Sequence, residues 1–122
     1  MLAEMEEMGR EDKLNKMYSF AEILLLHLLK QAAEQRTTRS WDLSVRHAAR
    51  QIARVNKRHK AGGTYLDTPE LRTILAEAYG PALERAALKA FEGRYDDVEL
   101  GQKVDRATIE QKALALITAQ QT

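Results

Sequence analysis

The stretch Leu14–Ala32, LNKMYSFAEILLLHLLKQA, decides how this chain folds. Counted at helical spacing, Leu14, Met17, Tyr18, Ala21, Leu24, Leu25, Leu28 and Ala32 form one apolar stripe. Phe20, Ile23 and His27 carry a second stripe around the side. A surface helix needs only one apolar face. Two faces predict a helix packed from both sides, either at the centre of a bundle or at a contact between proteins.

Outward from this stretch, the pattern stays helical. The central helix extends over residues 2 to about 34, because Leu2, Met5 and Met8 keep the spacing. Gly9 is its weak point, since glycine costs a helix about 1 kcal/mol relative to alanine, and a break is expected there. A second helix is predicted over 40–59, capped by the Ser40 hydroxyl. Its buried stripe is Trp41, Val45, Ala48, Ile52 and Val55, with Arg46, Arg50, Arg54 and Lys57 on the opposite side. The run Lys60-Ala61-Gly62-Gly63-Thr64 ends it.

A third helix over 68–92 has the clearest start, with Asp67 or Thr68 as N-cap and Pro69 in the first turn. Leu71, Ile74, Leu75, Ala78, Ala82, Leu83 and Ala86 face inward. Gly80-Pro81 predicts a kink or a split, because proline removes one backbone hydrogen bond. Residues 94–104 show no period and read as an irregular connection. A last helix is expected over 105–119, with Ile109, Ala113, Leu116 and Ile117 buried. The sequence therefore predicts an all-α protein, a helical bundle of about four helices around a central hydrophobic helix, forming one domain over 1–122.

Composition agrees. Of 122 residues, 44% are hydrophobic and 30% charged, which suits one packed core and not a disordered chain. Cysteine is absent, which removes disulfides and thiolate chemistry and fits a cytoplasmic setting. The acidic start is unlike a signal peptide, and the longest apolar run, Ile23–Leu26, is far short of the ~20 residues that cross a bilayer. No membrane partner is expected. Net charge is only +1 but unevenly spread. Arg36, Arg39, Arg46, Arg50, Arg54, Lys57, Arg58 and Lys60 face Asp42 alone between residues 36 and 60. This basic patch is expected to serve an acidic partner or to pair with Glu4, Glu6 and Glu7.

Several strings carry a resemblance. They are Leu2-Ala3-Glu4-Met5-Glu6-Glu7-Met8-Gly9-Arg10, Leu25-Leu26-His27-Leu28-Leu29-Lys30, then Arg39-Ser40-Trp41 with Ser44, Val45, Arg46, Arg50 and Ile52, and Leu75-Ala76-Glu77-Ala78-Tyr79. In order and spacing over roughly residues 2–90, the chain resembles a bacterial family known as domain of unknown function family 29. The resemblance implies an all-α bundle with no assigned activity. The chain departs from the family pattern at Asp42, Ala48 and Ala49 and over 91–122, and it begins where members usually have a preceding segment.

Catalytic motifs are lacking. The Glu-x-x-His pairs of bundle di-iron sites are absent, and His27, His47 and His59 are not spaced as ligand pairs. His27 is expected in packing, not catalysis; an enzyme site would have to gather it with Glu22 or Glu6 and Tyr79. Ser44 and His47 are three apart but lack a third group and an oxyanion site. Gly62-Gly63-Thr64 lacks the lysine of a phosphate-binding loop. Asp96-Asp97-x-Glu99 lacks the spacing of a calcium loop. No catalytic residue, metal or cofactor is expected. The leading expectation is an interaction module, a homodimer or a complex with another protein, through Phe20, Ile23 and His27. The alternative is an anion or nucleic-acid binder using Arg36, Arg39, Arg46, Arg50 and Arg54, with Trp41 as a possible stacking surface.

Overall fold

The computed structural model describes residues 9–121. Among them are five α-helices: α1 (Arg10–Glu34), α2 (Arg39–Asn56), α3 (Thr68–Lys89), α4 (Asp97–Gly101) and α5 (Arg106–Gln120). A 3-10 turn over Ala90–Gly93 follows α3. The described residues hold no strand beyond one isolated antiparallel bridge, Lys57 to Thr64. The fold is an all-α bundle. Helix α1 is central, packing against α2 and α3, while α5 packs across α2 and α3.

Burial follows the first apolar stripe of α1. Met17, Ala21, Leu24, Leu25 and Leu28 are buried and Leu14 and Tyr18 half-buried, while Leu29 and, on the far side of the helix, Leu26 are buried as well. Ala32 departs from expectation and is exposed, because it sits in the last turn where no neighbouring helix covers that face. Gly9 is the N-cap of α1, and Met8, the other half of the expected bend or break, lies outside the described residues. The expected helix over residues 2–8 lies outside the described residues.

Local chemistry places the helix ends. Thr38, not Ser40, caps α2, its hydroxyl accepting from Trp41 N–H at 3.1 Å. Helix α2 also stops at Asn56, earlier than the expected 59, because Lys57 turns extended to bridge Thr64. Asp67 caps α3 in a reciprocal box with Glu70. The expected connection over 94–104 contains α4 instead, started by a second such box between Asp96 and Glu99. The Asp-x-x-Glu spacing that fails as a calcium loop is a helix start.

Of the kink or split expected at Gly80-Pro81, the split does not occur: α3 runs as one helix with Pro81 inside it. Pro81 has no N–H to donate to the carbonyl of Glu77, four residues earlier. Tyr18 of α1 supplies the donor, its hydroxyl reaching Glu77 O at 3.1 Å. Helix α3 ends at Lys89, short of the expected 92, since Phe91 and Glu92 take left-handed angles (φ 51 and 57). In α5, Ile109, Ala113 and Ile117 are buried as expected, but Leu114 takes the inner position and Leu116 is half-buried.

Candidate anion-binding site

Helix α2 has a steep division between its two sides. Val45, Ala48, Ala49, Ile52 and Ala53 are buried, and Arg39, Arg46, Arg50 and Arg54 are exposed. At 100° per residue the four arginines share one side with Lys57 and the exposed Leu43. Arg46, Arg50 and Arg54 therefore rise about 6 Å per step along the axis. Among the described residues no carboxylate lies within ion-pair distance of any of the four. Glu4, Glu6 and Glu7, the expected alternative partners, lie outside the described residues.

Arg36 is different. Its guanidinium pairs with Glu34 at 3.0 Å and lies 4.7 Å from the centre of the Trp41 ring. Lys30 also approaches that ring, at 4.4 Å. Trp41 is half-buried and engaged by cations from its own protein, so it is not the open stacking surface that the sequence allowed. Arg36 stabilises the α1–α2 corner and leaves four arginines in the stripe.

At the C-terminal end of the stripe the surface becomes concave. Arg50, Ala53, Arg54 and Lys57 form one wall of a cleft of about 490 Å³, and Gly63, Thr64, Gln120 and Gln121 form the other. None of the described lining residues is acidic. Asn56 builds this cleft. It is fully buried, its Nδ2 donates to Leu66 O at 3.2 Å and to Gln121 Oε1 at 2.8 Å, and its Oδ1 accepts from Leu66 N–H at 2.8 Å. One side chain thus ties the end of α2 to the following loop and to the end of α5. The loop closes through Tyr65 N–H to Asn56 O and Arg58 N–H to Gly63 O. Gly62 and Gly63 take φ of +75 and +70, angles that favour glycine. The Thr64 hydroxyl donates to Leu66 O at 2.8 Å and holds the loop end. Lys13, itself buried, sits 3.5 Å over the Tyr65 ring and anchors the loop on α1.

The second stripe of α1 takes an intermediate position. Phe20, Ile23 and His27 are all half-buried. Phe20 meets His47 of α2 edge to face, with ring centres 6.3 Å apart, and shares a shallow groove with Asn15, Lys16, Ser19, Gln51 and Val55. His27 leaves its Nδ1 buried without a hydrogen-bond partner. Burial, reinforced by Lys30, Lys89 and Arg85, lowers its pKa to about 4, so the ring is neutral at pH 7. Burial likewise lowers Lys30 and raises Tyr79. The residues of the conceivable enzyme site are otherwise engaged: Glu22 pairs with Arg85 at 3.2 Å, and the Tyr79 ring lies 4.5 Å from the Arg106 guanidinium. Glu6 lies outside the described residues. Among the described residues no group of three histidines or carboxylates is placed to hold a metal ion, and no helix is long and apolar enough to cross a membrane.

The family model described as "Domain of unknown function DUF29" matches residues 1–104. The chain belongs to the DUF29 family. No curated protein and no solved structure matches it. The arginine stripe and the loop wall of the cleft fall inside the DUF29 match, whereas Gln120 and Gln121 lie beyond it. Sequence reading found the arginines through their four-residue spacing. It missed Asn56 and Gln121. An asparagine at a predicted helix end followed by two glycines was the available signal for the first, and nothing local marked the second.

Proposed function

We propose that this DUF29 domain is a non-catalytic binding module that holds the phosphate backbone of a nucleic acid through the basic face of α2. The observation that carries this reading is the row Arg39, Arg46, Arg50 and Arg54, exposed and without an ion pair to any described carboxylate. Arginine's fork of donors suits phosphate oxygens. With Trp41 already engaged, contact is to phosphates and not to bases, so binding is independent of base sequence. Three to four neutralised phosphates correspond to a slope in log affinity against log salt of about −2.7 to −3.6 on duplex and about −2.1 to −2.8 on a single strand. Titrating labelled single-stranded and duplex oligonucleotides at several salt concentrations measures it. Arg46→Glu with Arg50→Glu is expected to weaken binding by about 10–100-fold at ~50 mM salt without unfolding the chain. Absence of binding to both forms at that salt ends the proposal.

A second reading has one observation in its favour. Phe20 and Val55 stay partly open in the groove between α1 and α2, which supports self-association through the second stripe of α1, with Ile23 and His27 beside it. Light scattering at high protein concentration distinguishes the two: a strict monomer removes the dimer.

A further inference from the structure

We infer that the cleft at the end of the arginine stripe is a seat for a phosphomonoester group, so that the module grips a terminal phosphate as well as passing phosphodiesters. This rests on the polyanion reading above and adds to it a preference the open stripe alone would not have.

Charge is the first ground. Arg50, Arg54 and Lys57 line one cavity with no carboxylate among its described lining residues, whereas Arg39 and Arg46 do not line it. A backbone phosphodiester brings one negative charge. A phosphomonoester brings about −1.5 to −2 at pH 7 and three strong acceptor oxygens. Three cations around a single cavity exceed what one diester neutralises and match the monoester.

The second ground is a neutral donor held in place. A fully buried Asn56 gives one N–H to Gln121 Oε1 at 2.8 Å, across 65 residues of sequence. Because that oxygen is taken, the orientation of the Gln121 amide is determined, and among the described residues its two N–H donors meet no acceptor. Gln121 lines the same cleft as the three cations. A buried side chain that orients a donor beside a cluster of cations is the arrangement an oxyanion needs, since it adds hydrogen bonds without the cost of ordering the donor at the moment of binding.

Space is the third. At about 490 Å³ the cleft is larger than one phosphate requires and falls in the range of small-ligand pockets. An added Cβ at Gly63 would meet nothing within 4 Å, so the loop wall leaves open volume. A terminal nucleotide fits this description whether it belongs to a strand end or to a free nucleoside monophosphate.

The test measures binding of the full chain to a short single-stranded oligonucleotide carrying a terminal phosphate, at either end, against the same strand with hydroxyl ends. A nucleoside monophosphate and inorganic phosphate serve as competitors. The phosphorylated strand is expected to bind about 10-fold tighter. Gln121→Glu preserves the acceptor for Asn56 but replaces the donors by a negative charge, so it should abolish the preference while leaving the unfolding midpoint in place. Arg46→Gln, in the stripe but outside the cleft, should weaken both strands equally. Competition by the monophosphate as effective as by the phosphorylated strand assigns the ligand to a free nucleotide. Equal affinity for the two strands overturns the seat and leaves the backbone reading standing. Binding of the monophosphate without any oligonucleotide binding keeps the seat and overturns the backbone reading. No binding of strand or monophosphate overturns both.

Discussion

Helix α5 borders a groove on each side, and the two grooves differ in charge. Against α3, Arg72, Leu75, Ala76, Ala107, Glu110, Gln111 and Leu114 line a space of about 320 Å³. There Glu110 accepts from Arg106 one turn earlier, at 3.2 Å, and Arg106 also reaches Ala76 O at 3.1 Å. Among the described lining residues Arg72 of α3 and Glu110 of α5 balance in formal charge. Against α2, the described residues that line the cleft with Arg50, Arg54 and Lys57 are Ala53, Gly63, Thr64, Gln120 and Gln121, all uncharged. Helix packing makes a groove wherever two cylinders meet at an angle. Whether the groove attracts an anion depends on whether a carboxylate offsets its cations; Asp42, the acid of α2, lies one turn from Arg39 and Arg46 but not from Arg50 or Arg54, and it does not line the cleft.

Asn56→Ala tests what builds the cationic groove and has the largest expected effect. It strands the buried N–H of Leu66 and removes one of the two donors to its C=O, leaving the Thr64 hydroxyl, a loss of about 2–3 kcal/mol in urea unfolding. The cleft should lose its wall while the α3–α5 groove keeps its lining. A change below ~1 kcal/mol would mean that Asn56 does not hold the loop.

His27 lies outside both grooves and sharpens the comparison by separating stability from binding. Its pKa of about 4 in the folded chain is below the ordinary 6.5, so on acidification the unfolded chain takes up the proton first. Stability is complete above the ordinary value, falls between 6.5 and about 4, and levels below. Because the ring remains partly solvated, the expected loss across that window is about 1–2 kcal/mol. His27→Phe should flatten the difference in unfolding free energy measured at neutral and acid pH. Parallel curves for the two proteins would contradict the buried, neutral ring.

The smallest effect concerns the balanced groove. Glu110→Gln unpairs Arg106 at an exposed position and should cost less than ~1 kcal/mol. Oligonucleotide affinity should stay within about twofold, measured by the same salt titration. A large gain would show that any uncompensated arginine beside α5 suffices and that the shape of the α2 cleft contributes nothing.

Much of the fold was legible along the chain because helical periodicity is local. The stripe Met17, Ala21, Leu24, Leu25 and Leu28 is buried as its spacing implied, and the box at Asp67 stands where the composition of a helix start placed it. Asp96 and Glu99 form an equally local signal, and it was read only against a calcium loop. Pro81 is the opposite case. Its effect on α3 depends on Tyr18, 59 residues from Glu77 in sequence, which supplies the donor that proline lacks. The second stripe of α1 was visible too, but the surroundings of Phe20 depend on where α2 brings His47 and Val55.

By itself the sequence determined that this protein is helical, which face of each long helix turns inward, and that arginines recur along one side of α2. Those properties follow from the 3.6-residue period and from the chemistry of caps, both of which act within a few residues. Only the tertiary structure decided that Arg50, Arg54 and Lys57 share a cleft with Gln121. That cleft exists because a buried Asn56 joins segments 65 residues apart, and no local pattern encodes which distant amide a buried side chain will find.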